Sequence, residues 1–172
     1  MDNESHLQHS ALDHILLRID IAPYSTLTTR SHPREGSCEV TWGCDAEAFD
    51  AIWGPDRYKK EISCWSQDET SLQHRQAILL VSDSEGNKCV AGTALALSNN
   101  DPYGDGMVGW IQSLAVRKSF RGKGLSKLLL SAVLARFAEF GEKEAYLLVE
   151  ASNIPAVSLY TASGFNPILE NP

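Results

Sequence analysis

The sequence predicts a mixed α/β (α+β) chain, on three observations. Two compact apolar runs, Ala77–Val81 and Cys89–Leu97, flank the turn Ser84-Glu85-Gly86-Asn87 and read as a β-hairpin. A further strand, Met107–Val116, runs through a glycine-bearing loop into the clearest helix of the chain, Leu125–Phe140. A buried strand, Ala145–Val149, then leads into a short helix over 154–163. At 172 residues with 43% apolar content, the chain has the size and the apolar surface of one globular domain.

Taken in order, Leu12, Ile15, Leu16 and Ile19 recur at helical spacing, with Ser10 and Asp13 as a capping pair. That predicts a helix over 10–21, with a strand through Ile15–Ile21 as the competing reading. Residues 22–37 are rich in Ser, Thr, Pro and Gly and read as loop, and Glu39–Trp42 as a short strand. Residues 45–65 read as two helical pieces broken at Gly54-Pro55. Phe49 and Trp53 share a face of the first, Tyr58, Ile62 and Trp65 a face of the second. The run from Asn99 to Gly106 is loop by composition. In 125–140, Leu125, Leu128, Leu129, Ala132, Val133, Phe137 and Phe140 follow the 3.6-residue period, and Gly141 stops it. Pro155 sits in the first turn of the last helix, where a missing N–H costs nothing.

Composition excludes several function classes. The net charge of −7 argues against nucleic-acid binding, which needs clustered positive charge. The charge is also uneven: residues 1–106 carry 8 basic and 17 acidic side chains, residues 107–172 carry 7 and 5. That fits an anionic ligand in the second half and a cationic or neutral one near the first. No apolar run reaches the ~18 residues of a membrane span, and the polar N-terminus is no export signal, so the chain is expected in the cytoplasm. The four cysteines form no C-x-x-C pair and read as reduced, buried thiols with no metal.

The loop Arg117-Lys118-Ser119-Phe120-Arg121-Gly122-Lys123-Gly124 carries, with Lys127, five cations and no acid. Its backbone N–H groups and the first helical turn converge on one small volume, which suits a phosphate. The spacing fits neither a Walker loop nor the full dinucleotide fingerprint.

Two motifs lift this loop above a generic basic turn. The first is Leu114-Ala115-Val116 followed by Arg121-Gly122-Lys123-Gly124-Leu125-Ser126. The second is Asn153-x-x-Ala156-x-x-Leu159-Tyr160 followed by Gly164-Phe165. In this order and at this separation, residues 77–165 resemble the GNAT acetyltransferase superfamily; residues 1–40 stand as a loosely assigned N-terminal extension.

The resemblance implies a mostly antiparallel mixed sheet, helices on both faces, and a splayed pair formed by strands 107–116 and 145–149. It implies acetyl-CoA as donor, with pyrophosphate on the amides of Arg121–Ser126. A bulged Leu114–Val116 would bond the pantetheine arm with help from Asn153, and Tyr160 would be general acid to the leaving thiolate. The acceptor would be a small-molecule amine or a peptide α-amine.

The chain departs from the family pattern at four places. Ser126 stands where Gly or Ala is usual. Gln112 and Leu148 stand at the two positions that commonly carry the catalytic carboxylate. Only Asn166–Pro172 remains where a final hairpin would continue. The exposed sheet edge must then be covered by the N-terminal segment or by a second subunit, as in a homodimer. The missing carboxylates leave open a second class of function, a non-catalytic acyl-CoA-binding module of the same fold. For the acceptor side, the sequence offers Phe49, Trp53, Tyr58 and Trp65 with Asp45, Glu47, Asp50 and Asp56, and the loop acids Asp101 and Asp105.

Overall fold

The computed structural model describes residues 14–24, 37–65 and 76–168. Among the described residues, seven strands and four α-helices follow one another: β1 (His14–Asp20), β2 (Cys38–Gly43), α1 (Ala46–Trp53), α2 (Arg57–Trp65), β3 (Gln76–Ser82), β4 (Lys88–Asn100), β5 (Met107–Val116), α3 (Leu125–Glu139), β6 (Glu144–Glu150), α4 (Ile154–Ala162) and β7 (Asn166–Pro167). They build one sheet in the order β2-β3-β4-β5-β6-β1-β7. Every neighbouring pair is antiparallel except β5 and β6.

The helix expected over 10–21 is instead strand β1 where the chain is described, while Ser10 and Asp13 lie outside the described residues. Leu17, Ile19 and Ile21 are buried and alternate with exposed Arg18 and Asp20. That two-residue period satisfies a half-buried strand. The choice is made by the partner: β1 pairs with β6 along its whole length, from His14↔Glu150 to Asp20↔Glu144. It also carries the two-residue β7 on its other edge. Within the segment read as an N-terminal extension, residues 14–20 thus form an interior strand, lying between β6 and β7.

The two faces of the sheet are covered differently. On one face α3 buries Leu129, Leu130, Val133, Leu134 and Phe137 against Ala94, Ala96, Ile111, Ala145, Leu147, Leu17 and Ile19. Close approach here needs Gly109, because a Cβ on it would lie 2.5 Å from the Phe137 ring. On the other face α1 and α2 pack Phe49 and Tyr58 on Leu95. The break between these helices falls at Gly54, as the sequence predicts. Their aromatics are core rather than acceptor pocket: Phe49 is fully buried, Tyr58 stacks edge-on against it, and Trp53 lies against the same cluster. The side chains of Ile62 and Trp65 lie outside the described residues. Two of the four acids grouped with them are structural too. Asp45 caps α1 by accepting from Ala48 N at 2.9 Å. Asp50 accepts from the backbone N–H groups of Asp56 and Tyr58 at 3.1 and 2.8 Å.

The thiols also differ from expectation. Cys44 and Cys89 are exposed thiols and Cys38 is a half-buried one. Among the described residues no cluster of metal-ligating side chains forms, and no helix is long and apolar enough to cross a membrane.

Candidate active site

The site starts where β5 and β6 stop pairing. These two parallel strands share only the registers Gly109↔Ala145 and Trp110↔Tyr146. Beyond them the strands part, and a slot of about 210 Å³ opens, lined by Trp110, Ile111, Gln112, Ser113, Leu114, Leu148 and Tyr160.

A bulge shapes one wall. Pairing with β4 shifts by one residue between Thr93↔Ala115 and Leu95↔Gln112. The extra residue is accommodated at Ser113, whose φ of 49° is in the left-handed region. Opposite the bulge, Gly92 lets the chains approach, because a Cβ there would lie 2.6 Å from the Ala115 carbonyl. A bulge re-aims backbone N–H and C=O groups out of the ladder. Leu114 faces the slot, Ala115 is half-buried, and Val116 returns to the core.

The basic loop follows directly. Lys118–Phe120 form one 3-10 turn, and Arg121 braces the loop by donating from Nε to the Val116 carbonyl at 3.0 Å. Gly122 and Gly124 both have positive φ, 77° and 75°, and no atom lies within 4 Å of where either Cβ would be. Gly124 is the N-cap of α3 and offers no side-chain oxygen, and the first turn of α3 holds no acid. The leading N–H groups of the helix, at Leu125 and Ser126, therefore face outward with the positive end of the helix dipole. Arg121, Lys123 and Lys127 are exposed around them. The half-buried Ser126 adds a hydroxyl to this rim.

Tyr160 comes from α4. It is 8% exposed, packs edge-on against Phe165 at 5.7 Å, and reaches the slot. Burial pushes its phenol up to about 12. Asn153 caps α4, accepting from Ala156 N at 3.3 Å through its side-chain oxygen. Asn153 is itself exposed. Gln112 and Leu148 both line the slot, so an amide and an isobutyl group occupy the positions where the family commonly has a carboxylate.

Sequence reasoning missed Trp110 and Tyr146. Their rings stack at 5.6 Å and 24°, and Tyr103 continues the stack on Tyr146 at 6.3 Å and 25°. The Trp110 indole N–H is buried with no hydrogen-bond partner among the described residues, so stacking rather than hydrogen bonding orients the ring. The Tyr146 hydroxyl donates to Glu144 at 3.0 Å and lies 3.4 Å from Asp101. Burial and the neighbouring Glu144 raise its pKa to about 12. The aromatics lie 36 residues apart in β5 and β6, so no local pattern announces them.

Comparison with known proteins accords with this geometry. A mycothiol acetyltransferase of Saccharomonospora viridis is 27% identical over 134 residues, 76% of this chain and 42% of that protein. A probable spermine N(1)-acetyltransferase of Bacillus subtilis subsp. natto is 37% identical over 57 residues, 33% of this chain and 38% of that one. The chain spans less than half the length of the curated relatives it matches. Among solved structures, the aminoglycoside N-acetyltransferase AAC(6')-Iy in complex with CoA superposes with a TM-score of 0.61. It is 18% identical and covers 83% of this chain and 96% of its own. The model of the acetyltransferase (GNAT) family matches residues 44–165, and the chain belongs to that family.

Proposed function

We propose that this protein transfers the acetyl group of acetyl-CoA directly to the amino group of a small-molecule acceptor. The observation that carries the reading is the continuity of one path. An uncapped helix end with its glycine loop leads to a bulged strand, and the bulge leads to a slot that ends at Tyr160. The diphosphate of the donor suits the amides of Arg121–Ser126, with Lys123 and Lys127 neutralising charge. Leu114, Ala115 and Val116 offer backbone groups to the pantetheine amides in the manner of an added strand. The Asn153 amide group supports the same arm.

In the reaction the amine nitrogen attacks the thioester carbon, the C–S bond breaks, nitrogen loses a proton and sulfur gains one. Full proton transfer from Tyr160 at about 12 to a thiolate of pKa ~8.5 is uphill by about 5 kcal/mol. Tyr160 therefore acts best as a relay, giving its proton to sulfur as it receives one from the attacking nitrogen, and ends neutral. With Gln112 and Leu148 in the slot, the acceptor has to arrive unprotonated. That costs about 4.6 kcal/mol at pH 7 for an alkylamine of pKa ~10.4, and about 1 kcal/mol for an α-amine of pKa ~7.8. Peptide α-amines are accordingly a second acceptor class to be assayed.

The test is a panel of amines read by release of free thiol from acetyl-CoA. Thiol release that depends on the amine supports the transferase. Tight acetyl-CoA binding with no amine-dependent release favours the second reading, a binding module, to which the absence of a carboxylate among the slot-lining residues lends support.

A further inference from the structure

The aromatic stack is continuous with the slot at one end and with acids at the other. Trp110 lines the slot, Tyr146 lies behind it, and Tyr103 is 53% exposed at the outer end. Beside them a cleft of about 370 Å³ is lined by Asp101, Asp105, Met107, Val108, Lys143 and Glu144, among others. The Trp110 and Tyr146 rings are presented on the sheet face opposite α3, because these residues alternate with Gly109, Ile111, Ala145 and Leu147 on the α3 side, and Tyr103, from the loop before β5, stacks on Tyr146. A row of cross-strand neighbours, Leu97–Trp110–Tyr146–Arg18, spans that face.

Resting on the transferase reading above, we infer that this stack and the carboxylates of Asp101 and Glu144 form a subsite for a second positive charge on the acceptor. The favoured acceptors are then amines with two cationic groups about 13 Å apart, four residues of strand at ~3.3 Å from Leu148 to Glu144. The exposed outer ring, Tyr103, can attract a cation, the buried Tyr146 holding it in place, and the partly buried carboxylates complete the recognition. The cleft is acidic on balance: Asp101, Asp105 and Glu144 face Arg18 and Lys143. Arg18 approaches Glu144 at 3.6 Å with half its side chain exposed. Such a solvent-exposed pair is weak and leaves Glu144 able to accept a second cation.

The experiment compares diaminobutane, diaminooctane and diaminodecane with decylamine as acceptors near pH 9. There the deprotonation cost is small and common to all. A butane spacer is too short to bridge slot and acids, and decylamine has the length without the second charge. The expected result is a kcat/KM for diaminodecane at least ~10-fold above that for decylamine, with diaminobutane low. In Asp101→Asn, Glu144→Gln and the surface variant Tyr103→Leu, the diaminodecane-to-decylamine ratio should fall toward one. A wild-type ratio near one, or a ratio that survives all three substitutions, overturns the subsite. Failure of every amine to be acetylated overturns the transferase reading instead. Calorimetric titration of the CoA-loaded protein with diaminodecane then judges the subsite alone: binding lost in Glu144→Gln upholds it, and no binding to wild type overturns it.

Discussion

Trp110 and Tyr146 face each other in the last paired register between β5 and β6, and their rings stack at 5.6 Å. One step further the strands separate into the slot. The same pair thus closes the sheet on one side and forms the floor of the site on the other.

Tyr160→Phe keeps the ring and its contact with Phe165 and removes only the hydroxyl. We expect unchanged thermal stability and acetyl-CoA affinity and a loss of at least ~30-fold in kcat, a floor below the ~10²–10⁴ typical of positioned proton donors. Equal rates at matched stability would leave protonation of sulfur to water.

Gly124 has φ 75°, a region that Asp and Asn tolerate better than other side chains. Gly124→Asn and Gly124→Asp are near-isosteric and should be destabilised alike. Only the aspartate sets a negative charge at the uncapped end of α3. Acetyl-CoA affinity measured by calorimetry should fall much further for Asp than for Asn. Equal losses would remove the diphosphate from this helix end.

Leu17 is 1% exposed inside β1. Leu17→Ala should cost about 2–5 kcal/mol in a denaturant titration, as for other buried leucines. Removing residues 1–20 takes an interior strand from the sheet, exposes the edge of β6, and should leave an aggregated or unfolded product. A truncated protein with the wild-type melting temperature would contradict the pairing of β1 with β6.

The pH dependence follows from two facts about the slot. Gln112 and Leu148 bring no titrating base, and Tyr160, held near 12 by burial, keeps its proton through the working range. With an alkylamine acceptor, kcat/KM should climb about tenfold per pH unit from pH 7 until the amine's own pKa of ~10.4. The raised phenol predicts no alkaline fall below pH 10, since the active form is the protonated one. A plateau beginning near pH 7 would reveal a base elsewhere in the site.

Part of this protein was readable residue by residue. The 3.6 period of Leu125–Phe137, the glycines at 122, 124 and 141, and Asn153 as a cap are local chemistry, and each stands where its local preference puts it. The two motifs carried the loop and Tyr160 for the same reason: their residues are close in sequence and belong to adjoining elements. Other features were not local. Ile15, Leu16 and Ile19 satisfy helical spacing while Leu17, Ile19 and Ile21 satisfy strand spacing. Nothing within ten residues tells the two apart. The vacant edge of β6, more than 120 residues away, decides for the strand by supplying backbone partners.

The aromatics divide in the same way. From spacing alone Phe49, Trp53 and Tyr58 are as good an acceptor pocket as any, and only their packing on Leu95 makes them core. Trp110, Tyr146 and Tyr103 read as ordinary strand and loop residues until the parallel pairing of β5 with β6 stacks them. The sequence by itself determined the family, the glycine loop and the helix from Leu125, because those rest on short-range periodicity and contiguous motifs. Tertiary structure alone decided the role of β1 and the Trp110–Tyr146 stack, because a side chain's burial and its ring partners depend on which distant strand lies beside it.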